Sequence, residues 1–495
     1  MSKNKEKTPS QKDINNLLQL YNAGDNINAE KLAVLLTQNF PNHPFAWKVL
    51  GAVLKNIGEL SRSLEVTHRA LELNPLDAEV YNNLGNTAMK LDLIDEAEKY
   101  YKKAIEINPV SFSFHHNLGR LFVHSQKFNE AQVSYKEALI LNPGLSGAHF
   151  DLGEVQKTVG KITEAEESFK KAIALEPENP IYYTCLGLVQ RDFGRYHDAE
   201  TSYRKTLALD PKNDNAHYNL GIVLFEHRHY KEAAEHFNLT NISHSKSFEL
   251  KCYYLLGEQS IFYEKLENMV QRGKADAVIG SLSCRSEVRY GIKKPNPFCN
   301  DPIKYVLKTD LTQGYDFKNI FINEVKDILT EDQHSKKSQG LITNGYQTSG
   351  NLFHRKSDAV KEIINVIHLE IERYRSHYND SDEGVITKWP ENYDLYGWLI
   401  SMKNGGELAS HMHDNGWLSG SIYINVPPKS EKDSGNLVVR IDDEKNEIIG
   451  KNQTKSIDVV TGSLCLFPSS LLHHTIPFMS DEERIVLAFD VIRAS

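Results

Sequence analysis

From about residue 10 to 245, apolar residues recur at the three- and four-residue spacing of amphipathic helices, in short runs divided by polar turns. Beyond residue 300 the pattern changes to short alternating or β-branched runs, LYGWLISM, SGSIYINV, NLVVRI, SIDVV, SLCLF and RIVLAFDVI, separated by Gly, Asn, Asp and Pro. The first pattern predicts a stack of helices and the second an antiparallel β domain. Between them, SFELKCYYLLGEQSIFYEKLENMVQRG still reads as amphipathic helix, a cap for the stack or a linker to the β domain. Prolines in KKPNPFCNDP mark where the second domain starts, and Asp358 to Tyr378 reads as one long helix within it.

The helical part repeats itself. Gly51, Gly85, Gly119, Gly153, Gly187 and Gly221 recur every 34 residues, each after a leucine; Pro75, Pro109, Pro143, Pro177 and Pro211 keep the same period. Ala97, Ala131, Ala165, Ala199 and Ala233 do so too. The period and the order of small, aromatic and proline positions in YNNLGN…AEKYYKKAIEINP, from Tyr81 to Pro109, resemble the tetratricopeptide repeat, which implies paired antiparallel helices. Small residues suit the close approach of two helices, and a proline ends the second. Aromatics at 101, 135, 169, 203 and 237 are expected to fill the space between neighbouring repeats. Tyr21, Ala29 and Pro41 fall in phase and extend the array to seven units.

Such an array implies a concave groove for a peptide or protein, against the plainer reading of a spacer. Asn83, Asn117 and Asn219 share one repeat position, where an amide can donate to and accept from a peptide backbone; Asp151 and Cys185 interrupt the row. His115, His116, His149 and His217, also in first helices, are read as solvated and assigned no metal.

Length changes the picture only by requiring more than one core: 495 residues divide into a polar tail (1–9), the solenoid (10–245), the helical cap or linker (246–300) and the β domain (301–495). A net charge of -9 gives no electrostatic reason to bind nucleic acid. The polar first residues and the lack of any long apolar run point to a cytoplasmic protein without a membrane span. Cys185, Cys252, Cys284, Cys299 and Cys465 lie far apart and read as free thiols. Oligomeric state is left open.

Candidate chemistry gathers in GELASHMHDNGWLSGSIYIN, where His411 and His413 stand two residues apart beside a turn. Positions i and i+2 of a strand share a face, so both imidazoles can aim at one metal ion. LFPSSLLHHTIPF offers a third, His473. Arg484 opens the final strand, expected to run alongside that of His473, and a guanidinium fork there suits a carboxylate. Trp398, Trp417, Phe467 and Phe489 read as core aromatics, and Gly435 and Gly462 as turn or bulge residues.

The blocks NPFCNDP, NGYQTSGNLF, HMHDNGWLSGSIYINVP, SGNLVV, LFPSSLLHHTIP and ERIVLAFDV, in this order, resemble a bacterial and phage family of 2-oxoglutarate–iron oxygenases. The resemblance implies a double-stranded β-helix, or jelly roll, with Fe(II) held by His411, His413 and His473. It implies 2-oxoglutarate held through Arg484 with help from Tyr423, O2 as co-substrate, and ascorbate as an accessory reductant. His413 stands where this oxygenase class usually has an aspartate, with Asp414 one residue late. Val486 stands where related enzymes often carry a serine. With the repeats, the resemblance implies hydroxylation of a peptide or protein side chain; the alternatives are a zinc-bound hydrolase on the same histidines and a non-catalytic scaffold.

Overall fold

A computed structural model of the chain describes residues 8–242, 244–331, 336–337, 340–441 and 453–494. Most of the expected polar tail, residues 1–7, lies outside the described residues. The chain divides into two compact units, 1–242 and 243–495.

In the first unit the described residues form fourteen helices, from α1 (Gln11–Asn22) to α14 (Tyr230–Asn238), in seven successive pairs such as α5 (Ala78–Lys90) with α6 (Ile94–Ile107). Ser10 and Asp13 close a capping box on α1. The second helix of a pair stops two residues before the repeated proline: α6 ends at Ile107, and Asn108 turns out of the helical region at φ -135°, ψ 85°, as a residue before proline must.

The glycines explain the period. A Cβ on Gly85, Gly119 or Gly187 would lie 2.6 Å from the ring of Tyr101, Tyr135 or Tyr203, so each ring packs on the glycine of its own repeat. Tyr101 also joins Leu118, Leu121 and Phe122 of the next repeat, so filling the space between repeats is half of what these aromatics do. The first-helix histidines have structural work of their own. Nε2 of His115, His149 and His217 donates to the carbonyls of Pro109, Pro143 and Pro211 at 3.1, 3.0 and 3.1 Å, as Trp47 Nε1 does to Pro41 at 3.0 Å. They clamp the turn between repeats; His115 and His149 stay partly exposed, as expected, whereas His217 is buried.

The second unit begins with α15 (Ser245–Leu256), α16 (Gln259–Gln271) and α17 (Ala277–Tyr290). These are the helices read as a cap or linker, and they belong to the same compact unit as the β domain. Then come β1 (Leu307–Asp310), a π-helical turn over 318–323 running into α18 (Glu324–Glu331), β2 (Lys336–Lys337), β3 (Ile342–Thr348), α19 (Asp358–His377) and α20 (Gly384–Thr387). Seven strands complete the unit: β4 (Tyr393–His411), β5 (Gly416–Asn425), β6 (Leu437–Arg440), β7 (Thr454–Ile457), β8 (Ser463–Pro468), β9 (Leu472–Thr475) and β10 (Arg484–Arg493).

All pair antiparallel in the order β1-β8-β5-β10-β4-β9-β6-β7, with β3 added to β4 and β2 to β3. The 19-residue β4 joins two layers: its first half pairs with β10 and its end with β9, across a register shift between Leu408 and His411. This is the expected jelly roll. One expectation fails: β10 runs between β4 and β5 and not beside the strand of His473, because β4 is long enough to pair with both and separates them.

Strand alternation sorts β10 between two cores. Leu487, Phe489 and Val491 face a layer that includes Val360, Ile363, Ile367 and Ile371 of α19, which share a helical stripe. Val486 and Ala488 face the space inside the roll, with Tyr423, Leu437, Val439 and Phe467. The interior face of β10 therefore runs Arg484, Val486, Ala488, Asp490.

Candidate metal and carboxylate site

Three histidines converge inside the roll. His411 is the last residue of β4, and its cross-strand partner in β9 is His473. His413 lies beyond the strand, in the turn that leads to β5, so the strand supplies one of the pair and not both. Met412 between them points the other way and packs against the helical cores. One ligating atom from each histidine lies within 4.8 Å of the others.

The rings are oriented from behind. His411 Nδ1 donates to the Ala409 carbonyl at 2.8 Å, and His413 Nδ1 donates to Asp490 Oδ1 at 2.7 Å. A weaker contact of 3.5 Å links His473 Nδ1 to the Leu471 carbonyl. With those nitrogens committed, the Nε2 atoms carry the lone pairs, and those of His411 and His413 face each other at 3.1 Å. Two imidazole nitrogens at about 2.0–2.1 Å from one divalent cation, with bond angles near 90–109°, stand about 3 Å apart. The donor set and this spacing fit a metal ion.

Burial lowers the His411 imidazolium to about 4, with the His413 charge acting in the same direction. Burial likewise holds His473 well below the usual histidine value, and its two neighbours add to this. Burial opposes the charge on His413 too, yet the carboxylate of Asp490 and its hydrogen bond outweigh that and raise the value. Asp414 does not join the cluster. Its carboxylate pairs with Lys251 of α15, leaving His413 as the residue brought to the site.

Arg484 is 1% exposed, and among the described residues none of its three guanidinium nitrogens has a well-formed hydrogen bond, the neighbouring Tyr423 hydroxyl being the polar group that supports its charge. The group lies 5.0 Å from the centre of the Tyr423 ring and 5.9 Å from that of Phe478. Gly435, in the left-handed region at φ +73°, makes room for it: a Cβ there would sit 2.9 Å from Nη1. Burying an unpaired cation costs several kcal/mol, so this guanidinium is built to receive an anion. Burial pushes the Tyr423 hydroxyl far above its ordinary value, so it remains a neutral donor.

A cavity of about 600 Å³ contains the three histidines, Tyr423 and Asp490, with Val486 in its wall. Arg484 continues the face of Val486, Ala488 and Asp490 just past the residues that line it. Trp398 and Phe467, read as core aromatics, line the cavity and pack against His413 and His473 at 5.4 and 5.0 Å between ring centres. Trp417 and Phe489 are core residues as expected, and Gly462, like Gly435, has a positive φ. Sequence reasoning missed Asp490 and Ser419, whose hydroxyl donates to Asp490 at 2.8 Å. The signal for Asp490 is a charged residue at an inward position of RIVLAFDVI.

The asparagine row is partly used within the array. Asn117 Nδ2 donates to Asn82 Oδ1 at 2.9 Å. Asn219 accepts from Arg191 at 2.7 Å and donates to the Asn215 carbonyl at 2.8 Å, so both ends of its amide are engaged; Asn83 is half-buried. All five cysteines are free, and among the described residues no helix is long and apolar enough to cross a membrane.

Residues 396–490 match the family model described as "Putative 2OG-Fe(II) oxygenase". Tetratricopeptide-repeat models match residues 78–109, 146–179 and 185–241. No protein with a curated description matches the chain. Among solved structures it is similar to MamA, at 23% identity over 33% of this chain and 95% of that one, with a TM-score of 0.32. YrrB, described as a TPR protein with an unusual peptide-binding site, is 21% identical over 36% of this chain and 91% of its own, TM-score 0.33. PilF of Pseudomonas aeruginosa is 19% identical over 39% and 90%, TM-score 0.34. The chain thus carries tetratricopeptide repeats in its N-terminal part and a 2OG-Fe(II) oxygenase family domain at 396–490.

Proposed function

We propose that the second unit is an Fe(II)- and 2-oxoglutarate-dependent oxygenase that hydroxylates a peptide or protein side chain held by the repeats. The observation that carries this reading is the pairing of two chemistries in one roll: imidazole lone pairs facing each other at 3.1 Å, and a buried guanidinium packed on aromatic rings without a carboxylate partner among the described residues. His411, His413 and His473 would hold the metal, and Arg484, with Tyr423 beside it, the far carboxylate of 2-oxoglutarate. When bound, the iron and cosubstrate supply oxidation of a C–H bond by O2, coupled to decarboxylation of 2-oxoglutarate to succinate and CO2. The protein's share is to fix the three imidazoles from behind, leave the remaining metal positions open, and orient a dianion by its distal end. Ascorbate would serve as an accessory reductant that keeps the iron as Fe(II).

The repeats, through residues such as Asn83 and Asn117, would bring the substrate to a high effective concentration. A cytoplasmic setting agrees with five unpaired thiols. Three neutral imidazoles are also a zinc donor set, and a zinc hydrolase is the second reading. It leaves the buried guanidinium without a purpose, which favours the oxygenase.

The test is anaerobic addition of Fe(II) and 2-oxoglutarate to the full chain, followed by admission of O2 with peptides captured from a lysate. The reading expects a visible metal-to-ligand charge-transfer band before O2, and captured peptides gaining one oxygen atom after it. Protein that purifies with tightly held zinc, shows no such band and hydrolyses instead would contradict it.

A further inference from the structure

Outside the three imidazoles, the one acidic group among the described residues that touches the histidine cluster is Asp490. It stands on β10, 77 residues from His413 in sequence, and is 8% exposed. Its Oδ1 accepts from His413 Nδ1 at 2.7 Å and from the Ser419 hydroxyl at 2.8 Å, and Ser419 is linked in turn to Ser469 at 2.8 Å. The other acidic residue near the turn, Asp414, also lines the cavity, but its carboxylate pairs with Lys251 and does not join the cluster. The facial triad of non-haem iron oxygenases places one carboxylate on the metal. Here that place is taken by His413, and a buried carboxylate lies directly behind it.

Resting on the metal-binding reading above, we infer that Asp490 is the charge-compensating partner of the metal site: the carboxylate absent from the ligand set acts through the imidazole of His413. A buried carboxylate on Nδ1–H increases the basicity of Nε2 and lowers the net charge of a three-histidine site by one unit. It is a positioning residue, and it distinguishes this site from a set of three imidazoles backed only by carbonyls. It also binds the metal site to the strand whose other end carries Arg484.

Asparagine at position 490 can still accept the His413 and Ser419 hydrogen bonds through its amide oxygen, so Asp490→Asn removes the charge and keeps the scaffold. The experiment uses the full chain, freed of metal and kept anaerobic, titrated with Co(II) in competition with a chromophoric chelator. Ligand-field absorption and the melting temperature of the metal-free proteins are measured alongside. Asp490→Asn is expected to weaken Co(II) by about 10- to 100-fold, nearly as much as Asp490→Ala, with a shifted ligand-field band and a melting temperature close to the parent's. An Asp490→Asn protein that binds within about twofold of the parent, whatever Asp490→Ala does, would overturn the inference and leave the metal site standing. A parent chain that takes up no Co(II) would overturn both.

Discussion

Replacing Arg484 with methionine should make the protein more stable and, at the same time, blind to 2-oxoglutarate. The guanidinium is 1% exposed without a carboxylate or a well-formed hydrogen bond among the described residues, and arginine does not escape the cost by losing its proton. Burying one uncompensated ion costs several kcal/mol. The rings of Tyr423 and Phe478, 5.0 and 5.9 Å away, return about 2 kcal/mol of that. Methionine fills a similar length of apolar space, so the net gain expected is about 1–3 kcal/mol. For a unit of this size that raises the melting temperature by about 2–4 °C per kcal/mol.

Addition of 2-oxoglutarate at about a hundred times its dissociation constant to the metal-loaded proteins should stabilise the parent by about 2.7 kcal/mol beyond metal alone, and the variant by little or nothing beyond it. The order of stabilities therefore narrows or reverses on adding ligand. Urea unfolding followed by tryptophan fluorescence reads this well, since Trp389, Trp398 and Trp417 all lie in the second unit and only Trp47 in the first. A variant less stable than the parent without ligand, or one still stabilised by 2-oxoglutarate, would refute the reasoning.

In the repeats, Gly119→Ala places a methyl group 2.6 Å from the buried ring of Tyr135. Overpacking of about 1–3 kcal/mol should exceed the helix-propensity gain of about 1 kcal/mol. Gly147→Ala, with nothing within 4 Å, should not destabilise; thermal unfolding of the two variants compares them, and equal effects would contradict the packing account. Glu166 is held below its ordinary value of 4.5 by hydrogen bonding to Arg195 and, against the opposing effect of burial, by Lys170. A depressed carboxylate stabilises the fold above its unfolded pKa and loses that contribution as pH falls through the folded value. Glu166→Gln should therefore cost up to about 1 kcal/mol at about pH 7, limited because Arg195 is 38% exposed, and less at about pH 3. Denaturant titrations at the two pH values check this, and a cost that grows on acidification would contradict the sign.

The repeat period is legible in the sequence because its cause is local and severe: a ring lies where a Cβ on the preceding helix would be, so only glycine fits. The three histidines and Arg484 are legible because strand alternation places i and i+2 on one side, and the structure keeps His411 and His413 together even though the strand ends between them. Long-range pairing is what strand patterns leave open. Nothing in LYGWLISM indicates that β4 continues to His411 and joins both layers, so the pattern alone assigns β10 the wrong neighbour. β3 escapes the pattern because NGYQT alternates poorly, with Asn344 at φ +51° in a register shift. The links from Asp490 to His413 and from Lys251 to Asp414 join residues 77 and 163 positions apart, and no local pattern reports such contacts.

The most direct test of the central claim is succinate formation by the full chain, loaded with Fe(II) without oxygen, then given 2-oxoglutarate and air, beside its His411→Ala variant. Succinate from the parent and only background from the variant is the predicted result. Equal succinate from both, or none from the parent with any substrate supplied, would contradict an oxygenase built on these three imidazoles.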